Sequence, residues 1–338
     1  MTHPETKFRK RRLDRGIKAR TDSVFVIASP WDIVYAVAPR VLPVIVLLCL
    51  PMVLSTYQVK VMVHACIVGL LAMSWDLLAS CGLFSLGQSL FFGVGAYLAG
   101  AMSKYLGLPV WVTLPSASLL GGALCAVLLA PVVRLRGVYF AMVTLMLPIL
   151  FKQIIEAWGI LGGTHGLSSL TPFPHDTLAE YLAILAFVVA LFGFRKLSDS
   201  DYGLILKAIR DDDRAVMSAG INIHARKVQA LFIGGSVAAF AGAFMTHHHQ
   251  FVGFSVFAWD YAILPVAATA LGGPGSYAGA ALGSFILVPL SEGLRAMGGL
   301  RVATYCGILM ISIIALPEGI FRFMERKYHQ FETMVEVK

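Results

Sequence analysis

Residues 110–132 read VWVTLPSASLLGGALCAVLLAPV, an apolar run without a single Asp, Glu, Lys or Arg. A helix rises 1.5 Å per residue, so about 20 such residues cross the roughly 30 Å of hydrocarbon in a bilayer. Comparable runs lie at 33–54, 59–79, 86–103, 138–156, 178–194, 227–246, 260–272, 277–291 and 302–317. The composition agrees: 58% of the 338 residues are hydrophobic, 14% are charged and the mean hydropathy is +0.77. Soluble domains carry about a quarter charged residues, so a water-soluble fold is excluded. The expected fold is an all-α, polytopic transmembrane helical bundle of about ten spans (8–10).

The runs at 260–272 and 277–291 are short, and Gly272-Gly273-Pro274-Gly275-Ser276 divides them. They read equally as tilted spans or as broken half-helices. The glycine-rich stretch Ser85–Tyr97 raises the same question, so short or broken helices are expected near 80–90 and 272–276.

Charge supplies the orientation. A basic arm (1–32) precedes the first apolar run, too far ahead of it to act as a signal peptide. Ten spans with both termini cytosolic place 22 of the 27 Lys and Arg residues on the cytosolic side, as the positive-inside rule asks. The net charge of +8 therefore reports topology, and no nucleic-acid partner is inferred. The expected organisation is the arm, a transmembrane domain over 33–320 with a cytosolic loop at 197–226, and a cytosolic tail at 321–338.

Several chemistries are absent from the pattern. The five cysteines are isolated and read as packing residues, with no metal spacing. Of 19 carboxylates, Asp76, Glu156, Glu180, Asp260, Glu292 and Glu318 fall at or near span ends, and none is central. That argues against ion coupling and against acid–base catalysis within the membrane. No Gly-Lys dipeptide occurs, so a phosphate-binding loop is missing too. The chain reads as a non-enzyme that binds no cofactor of its own, and any ATP belongs on another polypeptide.

The loop DSDYGLILKAIRDDDRAVMSAGINIHARK, residues 199–227, is patterned. At 100° per residue Ile205, Ile209, Val216 and Ala219 share one face, with Lys207, Arg210 and Arg214 opposite, so a short amphipathic helix capped by Gly220 is expected. Asp212 interrupts the apolar stripe. The pattern alone admits a helix lying on the bilayer surface or one offering Asp211, Asp212 and Asp213 to a basic groove on a partner.

An ordered set of motifs carries a resemblance. Ser85-Leu-Gly-Gln-Ser-Leu-Phe-Phe-Gly-Val-Gly-Ala-Tyr97 is followed by Arg134-Leu-Arg-Gly-Val-Tyr-Phe-Ala141 and Gly162-Gly-Thr-His-Gly-Leu167. Then come Gly203 with Lys207-Ala-Ile-Arg-Asp-Asp-Asp-Arg214, Ala219-Gly-Ile221, Leu271-Gly-Gly-Pro-Gly-Ser276 and Leu316-Pro-Glu318. Over about residues 60–320 the chain resembles the LivM-type permease subunits of branched-chain amino acid ABC importers. The resemblance implies a multi-pass subunit of the bacterial inner membrane. Its partners would be a second related permease, two cytosolic ABC ATPases that hold ATP and Mg, and a periplasmic substrate-binding protein. It also implies that Lys207, Ala208, Ile209, Arg210, Asp211, Asp212, Asp213, Arg214 and Gly220 form the coupling segment. A small polar solute would be moved, either a branched-chain or similar amino acid or, alternatively, urea or a short amide. An ion-coupled carrier is the reading from another class.

Ser85, Gly87, Gln88, Gly93, Gly95, Gly272, Gly273 and Gly275 are candidates for the translocation path, with plain helix packing as the competing role. The four-residue spacings of Gly275, Gly279 and Gly283, and of Gly234, Ala238 and Gly242, read as packing. His247, His248 and His249 read as an outer-surface cluster, because consecutive helical residues cannot converge on one ion. Lys152 and Glu156 are spaced for an interfacial pair beside Trp158.

Overall fold

The computed structural model describes residues 30–135, 137–294 and 318–330, together with Gly298, Thr304, Cys306, Gly307, Met310, Ile311, Ile314 and Leu316. Most of the expected basic arm, much of the 302–317 run and the end of the tail lie outside the described residues. Helices α1 (Pro30–Val53), α2 (Thr56–Ser80), α3 (Gln88–Leu106), α4 (Val110–Leu129), α5 (Val138–Trp158) and α6 (Asp176–Asp199) follow the predicted runs closely. Two short helices, α7 (Asp201–Asp211) and α8 (Asp213–Ser218), lead into α9 (Ile223–His249). Then come α10 (Asp260–Gly272), α11 (Tyr277–Gly293) and α12 (Ile320–Gln330). Two-residue strands β1 (Leu167–Ser168) and β2 (Phe251–Val252) pair antiparallel, Leu167 opposite Val252.

Among the described residues five helices are long and apolar enough to cross a membrane: α2, α4, α5, α6 and α9. The α10–α11 pair makes a sixth if it is one span, bent by 116° at its break. Of the ten runs, the first counts only as the short apolar stretch Val41–Val53 and much of 302–317 lies outside the described residues; two further features reduce the number. The 260–291 region is one sharply bent pair, because Gly273 (φ 112°) and Gly275 (φ 80°) turn the chain through backbone angles closed to most residues. Helix α3 faces protein, with Gln88, Ser89, Gly93, Gly95, Gly100 and Ser103 all buried, so its composition answers to neighbouring helices and not to lipid. The break expected near 80–90 is present: α2 ends at Ser80 and α3 starts at Gln88. The tail is helical over Ile320–Gln330, which the sequence reading did not anticipate.

Helix α2 is the axis of the bundle. Its apolar window is 89% buried, against 22% for α5 and 28% for α6. A helix apolar on all sides belongs at the centre, whereas α5 and α6 turn Met142, Met146, Leu150, Leu185, Val189 and Phe192 outward, as lipid contact requires. Around α2, helices α3, α4 and α9 meet through small residues. A Cβ on Gly95 would overlap the carbonyl oxygen of Ala239, and one on Gly122 would overlap Ser236. Ser74 Oγ donates to the Gly234 carbonyl at 2.8 Å, so a hydroxyl supplements packing where lipid gives no hydrophobic push.

Candidate functional site

The segment after α6 is built as two helices joined at an extended residue. Asp212 (φ −154°, ψ 102°) ends α7 and caps α8, its Oδ1 accepting the N–H groups of Arg214 at 2.8 Å and Ala215 at 3.2 Å. The single helix expected from the pattern is therefore corrected to two. A short carboxylate at an N-cap satisfies orphan helix donors, and this outweighs continuing the apolar stripe. Gly203, Leu206, Ile209 and Val216 are buried, Ile205 is half-buried, and Ala219 is exposed, contrary to its assignment to the apolar face. Leu206 was missed because the break at Asp212 changes the phase of the stripe.

The C-cap at Gly220 is as expected. Its N–H donates to Met217 O at 2.9 Å and the Ile221 N–H donates to Val216 O at 3.4 Å, with φ at 80°. This paired arrangement needs a left-handed residue. Gly220→Ala should loosen α8 by about 1 kcal/mol, because the methyl meets no neighbour and only the backbone strain changes. Faster proteolysis within 212–222 at unchanged global melting checks it.

Outward from this anchor, Ala208, Arg210, Asp211, Asp212 and Arg214 are exposed. Arg210 Nε pairs with Asp211 Oδ1 at 3.4 Å. Lys207 donates to the Ser198 carbonyl at 3.2 Å, and Asp213 reaches the buried Lys227 at 3.7 Å. Tyr202 donates its hydroxyl to the Arg226 carbonyl at 3.2 Å. Burial pushes that hydroxyl up to about 12, so it remains a donor at any physiological pH. These contacts stitch α7 to the end of α6 and the start of α9, leaving Arg210, Asp211 and Arg214 exposed.

At the same end of the bundle lies the α10–α11 break. The Gly275 N–H donates to Asp76 Oδ1 at 2.7 Å. Gly273 and Gly319 touch backbone to backbone, Gly272 lies against Gly279, and a Cβ on Gly275 would stand 3.0 Å from Arg322 Nη2. The turn after α2 also belongs here, a Cβ on Gly82 standing 3.6 Å from the Arg210 Cα. Asp76, assigned to a span end, is there but only 1% exposed.

The two groups of candidate path residues are not brought together. Ser85 is buried, its Oγ accepting from the Gly87 N–H at 3.1 Å and its carbonyl from Trp75 Nε1 at 2.6 Å. Gly87 packs on the Thr144 backbone, Gly93 on the Phe257 ring and Gly95 on Ala239. Gln88 is fully buried with both amide atoms unpartnered among the described residues. Gly272, Gly273 and Gly275 sit instead against α11 and the 318–322 segment. Neither group lines the open apolar groove of about 440 Å³, which is formed by Trp111, His175, Thr177, Leu178, Tyr181, Leu182 and Leu185. The candidate glycines make close packing contacts or turn the backbone.

The opposite end corrects two expectations. His247 is buried, not on the outer surface: its Nδ1 lies 2.8 Å from the Thr171 carbonyl and its Nε2 2.7 Å from Thr113 Oγ1. A carbonyl only accepts, so Nδ1 carries the proton. His249 alone of the three is exposed. Among the described residues no three His, Cys, Asp or Glu side chains gather at a metal-sized site. Lys152 stands over the Phe254 ring at 5.4 Å instead of pairing with Glu156, since the loop before α10 folds back across it.

Comparison with known proteins bears on this architecture. A family model described as "Branched-chain amino acid transport system / permease component" matches residues 57–316. The high-affinity branched-chain amino acid transport system permease protein LivM of Escherichia coli (strain K12) is 28% identical, over 71% of this chain and 64% of the relative. LivM of Salmonella typhimurium has the same identity and coverage. The probable LivM permease of Methanocaldococcus jannaschii is 29% identical over 49% of this chain and 51% of its own. The match thus spans just under two thirds of the first two relatives. No solved structure matches the chain. With a family model spanning its helical bundle from α2 to beyond α11, the chain belongs to the family of branched-chain amino acid transport system permease components.

Proposed function

We propose that this chain is a transmembrane permease subunit of an ABC importer, forming half of a translocation path for branched-chain or similar small amino acids. ATP and Mg are held by two cytosolic ATPases, a second related permease completes the path, and a periplasmic protein delivers the solute. The setting is the inner membrane of a bacterium, with both termini and the α7–α8 segment in the cytosol. The observation that carries this reading is the construction of α7–α8. It is tied to the bundle by Gly203, Leu206, Ile209 and Val216, and presents Ala208, Arg210, Asp211, Asp212 and Arg214 outward. A rigid polar face of that kind suits a docking cleft on a motor. The LivM relatives, named as permeases of high-affinity branched-chain amino acid transport, support the choice of solute. ATP-driven closure of the motor would bias the permease pair between two states, each ligand acting through its different affinity for them.

The test is reconstitution with the partner subunits and radiolabelled leucine. Uptake should require ATP. Arg214→Glu, a change on an exposed residue, should lower substrate-stimulated ATP hydrolysis roughly tenfold while folded permease stays in the membrane. Leucine uptake driven by an ion gradient without ATP would overturn the reading.

A further inference from the structure

Asp76 is an expensive residue for its position. A carboxylate removed from water destabilises a fold by several kcal/mol unless its charge and both oxygens find partners. Here Oδ1 accepts one bond, from the Gly275 N–H, and Oδ2 has no hydrogen-bond partner among the described residues. An asparagine would accept the same bond without a charge to bury. The charge therefore needs a reason of its own, as ionisable groups inside a membrane bundle generally do.

Its surroundings supply one. Two cations belong to the elements packed around the Asp76 carboxylate: Arg322 on α12, beside the Gly275 that the carboxylate holds, and Arg210 near the end of α7, beside the turn that follows α2. Arg322 is exposed and lies against the break at Gly275. Arg210 is also exposed, and its backbone packs on the turn that follows α2. Just beyond the break, Tyr277 stacks on Phe194 of α6 at 5.5 Å. The carboxylate thus sits where the central helix, the broken helix, the segment assigned to the motor and the C-terminal helix converge. Both cations are exposed, on elements at the protein surface.

We infer that Asp76 is a positioning residue, fastening the 272–276 break to α2 through the Gly275 N–H and sensing, by its charge, where Arg210 and Arg322 stand. Displacement of α7 would change the field at a buried anion, and that anion holds a backbone N–H within the break between α10 and α11. This deepens the proposed function and rests on it, since it takes α7–α8 as the segment the motor moves.

Leucine transported per ATP hydrolysed, in the full reconstituted complex, separates coupling from folding. Asp76→Asn keeps the hydrogen bond and removes the charge; it should lower that ratio roughly tenfold, and Asp76→Glu should restore part of it. Arg210→Gln and Arg322→Gln should each lower the ratio and add little further in the Asp76→Asn background. A purely structural role would lower folded yield and leave the ratio alone. If wild-type complex transports leucine with ATP and Asp76→Asn has the wild-type ratio, the inference fails while the function stands. Should Asp76→Asn not fold, the two exposed arginines decide: unchanged ratios in both overturn it. Uptake by wild type that ignores ATP removes both the function and the inference.

Discussion

Gly242→Leu is expected to leave little folded protein. A Cβ at Gly242 would overlap the Phe92 carbonyl oxygen and stand 2.8 Å from the Phe92 carbonyl carbon and 3.0 Å from the Ala96 nitrogen. All three atoms are backbone, so no rotamer change relieves the overlap, and α3 and α9 must separate along their contact. That contact also holds Gly95 against Ala239 and the bond from Thr246 Oγ1 to the Ala96 carbonyl at 3.2 Å. Overpacking a core costs about 1–3 kcal/mol when side chains can adjust. Against fixed backbone the loss should exceed about 3 kcal/mol, a large part of a total near 5–15 kcal/mol. Size-exclusion yield and melting temperature in detergent report it. Gly193→Leu is the control: that glycine is exposed on α6 with nothing near its Cβ position, so near-wild-type behaviour is expected. Equal yields for both leucine variants would show that the α3–α9 contact is not the tight one described.

The second large effect is expected from Asp213→Ala. Lys227 is 7% exposed and its ammonium finds Asp213 Oδ1 at 3.7 Å. Removing the carboxylate leaves a buried cation without that partner, a class of change that costs about 3–5 kcal/mol in a fully buried pair. Asp213 is about a quarter exposed, so water shares the load and a loss of about 2 kcal/mol is the expected value. Lys227→Met should cost less, since its aliphatic stem is already packed, and in the double variant most of the Asp213→Ala loss should disappear. Thermal denaturation of the four proteins forms the cycle. Additive losses would mean that the two side chains do not act as a pair.

Much of the architecture was legible because bilayer thickness imposes a length that each apolar run must meet by itself. Breaks near 80–90 and at 272–276, the helical loop and its cap at Gly220 were equally local, set by residues within a turn of one another. What a residue does across the bundle was not legible. Which neighbours Gly93 and Gly95 meet, the Phe257 ring and Ala239, is set by segments far along the chain. His247 looked superficial because its neighbours Thr113 and Thr171 arrive from other segments. Asp212 looked like an interruption of a stripe and proved to be the cap that divides α7 from α8.

Sequence by itself determined that this chain lives in a membrane, where most of its long apolar helices run and which family it belongs to, since hydrophobic length and ordered motifs are properties of contiguous residues. Tertiary structure alone decided that α2 is the axis, that α10 and α11 fold as one bent pair, and that Asp76 meets Gly275 across 199 positions of chain. Such meetings depend on how small residues let backbones approach and on where a buried polar group finds a partner, and neither is written in any local stretch.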